Sequence, residues 1–298
     1  MKSRLVPVIL AFALLAAACG GDDDAPGGSG DDNAGQKDSF NQPFTDAAAY
    51  PVFASSELTV GENRLLIGLL NQEDAPIASE KIDVGLTFFD LSKSEPTPEF
   101  STESEFARID EFRGLYVSYV EFDSAGEWGA EVDIEGDGYD ETLRASLTVS
   151  KKGTTPAIGE PVPASDTPTI DDVDELSEIT TDQTPVRRFY TTSVAEAVRQ
   201  NKPFVVAFAT PKFCTSQTCG PILEEVQEVA DEFPKVTFIH VEPYDLDKTP
   251  DLVPIDVVHE WGLPSEPWVF VVDSDGKLVA KYDVVLSQRE LTGALKKL

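Results

Sequence analysis

The fold of the C-terminal part is decided by the stretch Phe204-Val-Val-Ala-Phe-Ala-Thr-Pro-Lys-Phe-Cys214-Thr-Ser-Gln-Thr-Cys219-Gly-Pro-Ile-Leu-Glu224. Its first five residues form a continuous apolar run, which is typical of a central strand covered on both faces. A proline-containing loop with Cys214 follows, and apolar residues from Ile222 onward recur at helical spacing. We therefore expect a buried strand, a loop that carries one thiol, and an amphipathic helix that begins near Cys219.

The sequence around this stretch alternates between helix and strand signals. Capping boxes at Ser193–Glu196 and Ser287–Glu290 predict two helix starts. Val236–Val241 reads as a second strand, and the turn 273–276 between Trp268–Val272 and Lys277–Tyr282 predicts a hairpin. Residues 187–298 are thus predicted to form one α/β unit.

This order of elements resembles the thioredoxin fold. Gly220–Glu225 resembles the helix that follows the thioredoxin active site, and Trp261–Pro267 resembles the segment with that family's cis-proline. Phe270–Leu278 resembles the hairpin of extracytoplasmic, membrane-tethered thioredoxin-like proteins. The resemblance implies a thioredoxin-like domain over residues 187–298 with Cys214, Cys219 and Pro267 as catalytic residues. The two cysteines would exchange disulfides with a protein partner, and Pro267 would present backbone to that partner.

The cysteine spacing departs from the thioredoxin pattern, which has two intervening residues where this chain has four. Phe213 replaces the preceding Trp, and Ala207 stands where that family has a buried acid. Residues i and i+5 of a helix are roughly 8–9 Å apart, too far for a disulfide, so Cys214 must lie before the helix or the first turn must unwind. Cys214 is then the more exposed thiol and the predicted nucleophile, and Cys219 is the predicted resolving thiol.

Three other interpretations of the pair stay open. The first is a structural disulfide that only closes a short loop, as exported proteins often contain. The second is a Cu(I) metallochaperone, although neither His240 nor His259 aligns with the histidine ligand of the copper chaperones that share this fold. The third is a peroxidase, which is disfavoured because Thr210 lies four rather than three residues before Cys214.

The N-terminus resembles a bacterial lipoprotein signal. Lys2 and Arg4 precede the apolar stretch Leu5–Leu15, and three alanines lead to Cys19. The resemblance implies a signal peptide over residues 1–18, a lipid on Cys19, and a location on the extracytoplasmic side of the cell membrane. The alternative is an ordinary signal peptide with an incidental cysteine. Export would place Cys214 and Cys219 in an oxidising compartment, where a disulfide persists.

The segments between the signal and the C-terminal unit differ in composition. Residues 19–49 are predicted to form a disordered acidic tether, and residues 151–186 a linker rich in proline and acidic residues. Residues 50–150 contain short segments of alternating polarity, such as Trp128–Ile134, that predict a β-sandwich. This region resembles immunoglobulin-like domains of YtkA type. The predicted fold class is therefore an all-β immunoglobulin-like sandwich followed by an α/β thioredoxin-like fold.

The charge narrows the range of partners. The formal net charge is −31, from 23 basic and 54 acidic residues, and such a surface repels nucleic acid. The predicted partner is a protein thiol or disulfide, for example on a membrane redox protein. No cofactor and no metal is predicted.

Overall fold

Strands dominate the part of the chain that the structure describes. The computed structural model describes residues 37–298, in which twelve strands form three sheets of four strands each. These residues belong to one compact unit. The signal peptide and Cys19 lie outside the described residues.

The first two sheets are antiparallel and pack face to face as a sandwich. One has the order β1-β2-β6-β5, and the other has the order β4-β3-β7-β8. The two sheets share one core, and in β7 alternate residues point into it, as the period-two pattern predicts; these include Trp128, Val132 and Ile134. The strands are β1 (Ala49–Phe53), β2 (Gly61–Asn71), β3 (Asp83–Asp90), β4 (Pro98–Glu103), β5 (Glu105–Arg108), β6 (Gly114–Phe122), β7 (Gly126–Gly136) and β8 (Tyr139–Val149).

The third sheet lies in the C-terminal part and is a mixed sheet, with both parallel and antiparallel strand pairs. Its order is β10-β9-β11-β12, with β9 and β10 parallel and the other pairs antiparallel. All five residues of β9 are buried because apolar clusters cover both of its faces. The strands are β9 (Phe204–Phe208), β10 (Thr237–Val241), β11 (Trp268–Val272) and β12 (Leu278–Asp283). Four helices accompany them: α1 (Val194–Arg199), α2 (Cys219–Ala230), α3 (Asp256–Glu260) and α4 (Gln288–Leu295).

Both predicted capping boxes lie at helix starts. The Ser193 hydroxyl accepts a hydrogen bond from the Glu196 N–H at 3.1 Å, before α1. Before α4, Ser287 and Glu290 form the complete reciprocal box.

The predicted fold class, an immunoglobulin-like sandwich followed by an α/β thioredoxin-like fold, is wrong for the described chain. That chain is mainly β, because residues 39–298 contain twelve strands and only four α-helices, of 6, 12, 5 and 8 residues. Capping boxes and helical spacing mark where helices begin and which face they bury, but they do not say how far helices extend. The sequence interpretation therefore gave the helices too much weight.

Part of the segment that the sequence assigns to the tether packs on the sandwich. The Phe40 ring is buried, with its centroid 5.2 Å from that of Phe89. Gly129 of β7 makes room for it, since a Cβ at this position would come within 2.6 Å of the Phe40 ring. In the segment assigned to the linker, Pro161 forms an isolated antiparallel β-bridge with Lys277, which directly precedes β12. Leu176–Glu178 of the same segment forms a short 3-10 helix.

Two ion pairs and a hydrogen bond join the sandwich to the C-terminal part. Arg64 of β2 donates to Glu290 of α4 at 2.7 Å, and the two side chains are only 8% and 10% exposed. Glu57 pairs with Lys281 of β12 at 2.6 Å. Asp283, at the end of β12, accepts from the Ser56 N–H at 2.6 Å. No helix within residues 37–298 is long and apolar enough to cross a membrane.

Candidate functional site

The two cysteines lie where β9 ends and α2 begins. Cys214 is in the loop between these elements, and its N–H donates to the Thr210 carbonyl at 3.1 Å. Cys219 is the first residue of α2. Helix geometry left two alternatives, a Cys214 in the loop before the helix or an unwound first turn, and the structure has the first of them.

A disulfide joins Cys214 and Cys219, whose Cα atoms are 6.0 Å apart. The two residues differ in their access to solvent, because Cys214 is partly exposed and Cys219 is fully buried. An incoming thiolate therefore has access to Cys214 but not to Cys219.

The Cys214 sulfur has two hydrogen-bond donors in reach. The Cys219 N–H, at the N-terminus of α2, points to it at 3.3 Å. The Ser216 hydroxyl lies 3.2 Å away and also contacts Thr218. Donors near the positive end of a helix dipole stabilise a thiolate, so this arrangement favours ionisation of Cys214 once the bond is reduced.

Pro267 lies at the same edge of the third sheet. It directly precedes Trp268, which pairs with Phe208 at the end of β9, and its peptide bond with Glu266 is cis. Pro267 is buried, and its carbonyl accepts from the Val284 N–H at 3.4 Å. Proline has no N–H, so the carbonyl is the only backbone hydrogen-bonding group that Pro267 can offer a partner. The catalytic role of Pro267 stays a prediction.

His240 is a buried residue of β10 behind this loop. Burial lowers the pKa of His240, so its ring is neutral at neutral pH. Its Nε2 lies 2.9 Å from the Ala209 carbonyl, which can only accept, so Nε2 carries the proton and Nδ1 accepts from the Tyr190 hydroxyl at 2.7 Å. Both ring nitrogens are thus engaged. Among residues 37–298, no cluster of three or more His, Cys, Asp or Glu side chains could hold a metal ion.

Glu242 is a buried acid that the sequence analysis did not single out. Its Oε2 accepts from the backbone N–H of Thr181 at 2.9 Å and from the Thr181 hydroxyl at 2.8 Å. The same hydroxyl accepts from the Lys212 N–H at 3.2 Å, two residues before Cys214. Burial raises the pKa of Glu242. A buried carboxyl is therefore linked through one side chain to the loop that carries Cys214.

A sequence signal for Glu242 did exist. The residue directly follows the apolar strand β10, which runs parallel to β9. Because parallel neighbours end at the same edge of a sheet, the residue after β10 lies close to the loop after β9. A charged residue directly after a buried strand at this edge therefore indicates an acid close to the loop that carries Cys214.

Comparisons with known proteins add little to this geometry. No protein-family model matches the chain, and no curated protein matches it. A crystal structure of a DUF4426-family protein from Pseudomonas aeruginosa is matched over 37% of this chain and 96% of that one, with 12% identity and a TM-score of 0.26. The Lin-41 filamin domain is matched over 36% of this chain and 95% of its own, with 11% identity and a TM-score of 0.20. Similarities this low carry no argument about function.

Proposed function

We propose that the protein exchanges disulfides with protein thiols through Cys214 and Cys219. The observation that carries the proposal is the asymmetry of the pair. The Cys214 sulfur is reachable and has two donors that would stabilise a thiolate, whereas Cys219 is buried at the first residue of α2.

The chemistry balances in either direction. To oxidise a partner, a partner thiolate attacks the Cys214 sulfur, the bond between Cys214 and Cys219 breaks, and Cys219 leaves as a thiolate that takes up a proton. A second partner thiolate then attacks the partner sulfur of the mixed disulfide and releases Cys214, so two electrons pass from the partner to the pair. To reduce a partner, the same steps run in reverse, and Cys214 is the first nucleophile.

Location at the extracytoplasmic face of the membrane, through a lipid on Cys19, is part of this proposal. The segment around Cys19 lies outside the described residues, so the support for this location is the sequence before Cys19 alone. We expect radioactive palmitate to label the protein in a bacterial host and Cys19→Ser to abolish the label. A label that persists in this variant would contradict the anchor.

Mixed-disulfide trapping tests the exchange. All variants carry Cys19→Ser so that only the pair can react. A Cys219→Ser variant keeps the nucleophile but cannot resolve, so we expect it to accumulate a mixed disulfide with a model protein that carries disulfides. The matched Cys214→Ser variant should trap none, and equal trapping by both variants would contradict the assigned roles.

A structural disulfide is the competing proposal. Ala207 favours it, since this residue stands where thioredoxins have a buried acid. It predicts no trapped complex with either variant and no exchange by the wild type.

A further inference from the structure

Arg113 reaches from the sandwich to the backbone between the two cysteines. It lies in the loop between β5 and β6, and its Nη1 donates to the Ser216 carbonyl at 3.2 Å. Its Nη2 donates to the Gln217 carbonyl at 3.1 Å. Both acceptors lie within the ring that the disulfide closes. A residue more than a hundred positions away in sequence thus contacts the redox loop directly.

The two carbonyls lie outside the hydrogen-bond ladder of α2. The first acceptor of that ladder is the Thr218 carbonyl, which accepts from the Ile222 N–H at 3.0 Å. Gln217 also has a φ of +58°, a conformation that residues with a Cβ adopt rarely. Such a conformation persists when surrounding contacts hold it, and the guanidinium of Arg113 supplies two of these contacts.

Asp110 fixes the position of the guanidinium. Its Oδ2 lies 2.6 Å from Nη2 and 2.7 Å from Nε of Arg113. Its Oδ1 accepts from the N–H groups of Phe112 at 2.9 Å and Arg113 at 2.8 Å, which closes a tight turn. Hydrogen bonding by Arg113 lowers the pKa of Asp110, so the carboxylate is charged at neutral pH and offsets the guanidinium charge. Arg113 therefore acts on the loop through the placement of its donors rather than through net charge.

We propose that Arg113 is a positioning residue for the redox pair, because it holds residues 216–217 in the conformation of the bridged loop and so favours the disulfide over the dithiol. The biological purpose of this positioning rests on the proposed exchange function. The equilibrium between disulfide and dithiol can be measured whether the bond is catalytic or structural. Reduction of the pair breaks the S–S bond, consumes two electrons and two protons, and yields two thiols that no longer constrain the loop. Loss of Arg113 removes support from the bridged state, and the equilibrium shifts toward the dithiol.

The test measures the equilibrium between disulfide and dithiol in the full-length protein. Cys19→Ser is present throughout, the protein is equilibrated with reduced and oxidised glutathione, and free thiols are alkylated and counted by mass spectrometry. We expect Arg113→Gln to shift the equilibrium constant toward the dithiol about tenfold, which corresponds to about 30 mV. Arg113→Lys should shift it similarly, because lysine keeps the charge but cannot donate as a fork to two carbonyls.

Arg108 offers the matched control. It lies five residues earlier on the same sandwich, and its side chain forms an exposed ion pair with Glu80 and lies over the Phe106 ring. Arg108→Gln should leave the glutathione equilibrium unchanged, and a shift as large as that of Arg113→Gln would overturn the inference.

Four results separate the possibilities. An Arg113→Gln equilibrium within twofold of wild type overturns the inference, and so does a variant that loses thermal stability without a change in its equilibrium. An Arg113→Lys variant that behaves as wild type also overturns it, since charge alone would then suffice. If Arg113→Gln shifts the equilibrium while the Cys219→Ser variant traps no partner, the positioning role stands and the exchange function fails.

Discussion

Replacement of Arg64 by methionine should destabilise the protein by about 3 kcal/mol. Arg64 donates from Nε to one Glu290 oxygen at 2.7 Å and from Nη2 to the other at 3.2 Å, and both side chains are about nine-tenths buried. Removing one partner of a buried ion pair costs about 3–5 kcal/mol because the other charge is left unpaired. The lower end applies here, since Tyr119 at 2.7 Å and Ser287 at 2.8 Å still donate to Glu290.

The loss of stability caused by Arg64→Met should depend on pH. Burial alone would raise the pKa of Glu290, but the charge and hydrogen bonds of Arg64, with further hydrogen bonds from Tyr119 and Ser287, outweigh it and hold that pKa below the usual value of 4.5. In the wild type the stability that the charged Glu290 contributes is therefore present above pH 4.5, and it is lost as pH falls through the pKa of Glu290 in the folded protein. Without Arg64 the pKa of Glu290 should rise, so the difference in stability between variant and wild type should shrink toward acid pH.

Urea unfolding measures the effect, followed by circular dichroism and by the fluorescence of Trp128 in the sandwich and of Trp261 and Trp268 in the C-terminal part. Arg108→Met is the control, because its exposed pair with Glu80 should be worth about 0–1 kcal/mol. A cost for Arg64→Met as small as that of the control would refute the reasoning, as would a cost that does not change between neutral and acid pH.

Further predictions concern the redox pair and the acid behind it. After reduction, Cys214 should be alkylated at least about tenfold faster than Cys219, because only Cys214 is accessible; equal rates in a peptide-mapping experiment would contradict the assignment. Replacing both cysteines with serine should lower the free energy of unfolding by about 2 kcal/mol, because the closed loop is short; calorimetry that finds a loss of about 5 kcal/mol would favour a mainly structural bond. Burial raises the pKa of Glu242, so wild-type stability should fall as pH rises from 4.5 through the folded pKa, and Glu242→Gln should be more stable than wild type at neutral pH but not at acid pH. Urea titrations at both pH values check this, and a variant that is less stable at neutral pH would count against it.

Local patterns in the sequence predicted local structure well. The alternation in Trp128–Ile134 places apolar side chains in the sandwich core, and both capping boxes lie at helix starts. The distance between residues i and i+5 of a helix limited Cys214 to the loop or to an unwound first turn, and Cys214 lies in the loop. Each of these features depends on neighbours within a few residues, which a single sequence displays directly.

Features that depend on distant parts of the chain were missed. Arg113 lies 103 residues from Ser216, and nothing in its neighbourhood indicates which backbone carbonyls it will reach. Phe40 reads as part of a polar segment, and its place on the sandwich depends on the space at Gly129. The fold class was misjudged for a related reason, since helix signals are local whereas the pairing of twelve strands into three sheets is not.

The reduction potential of the Cys214–Cys219 pair tests the central claim most directly. The full-length protein with Cys19→Ser is titrated with glutathione redox buffers at fixed pH, and the dithiol fraction is read by mass spectrometry after alkylation. Disulfide exchange predicts a potential within the range of known exchange proteins, about −270 to −120 mV. A potential below about −300 mV, as structural disulfides in secreted proteins have, would contradict exchange and indicate a structural disulfide.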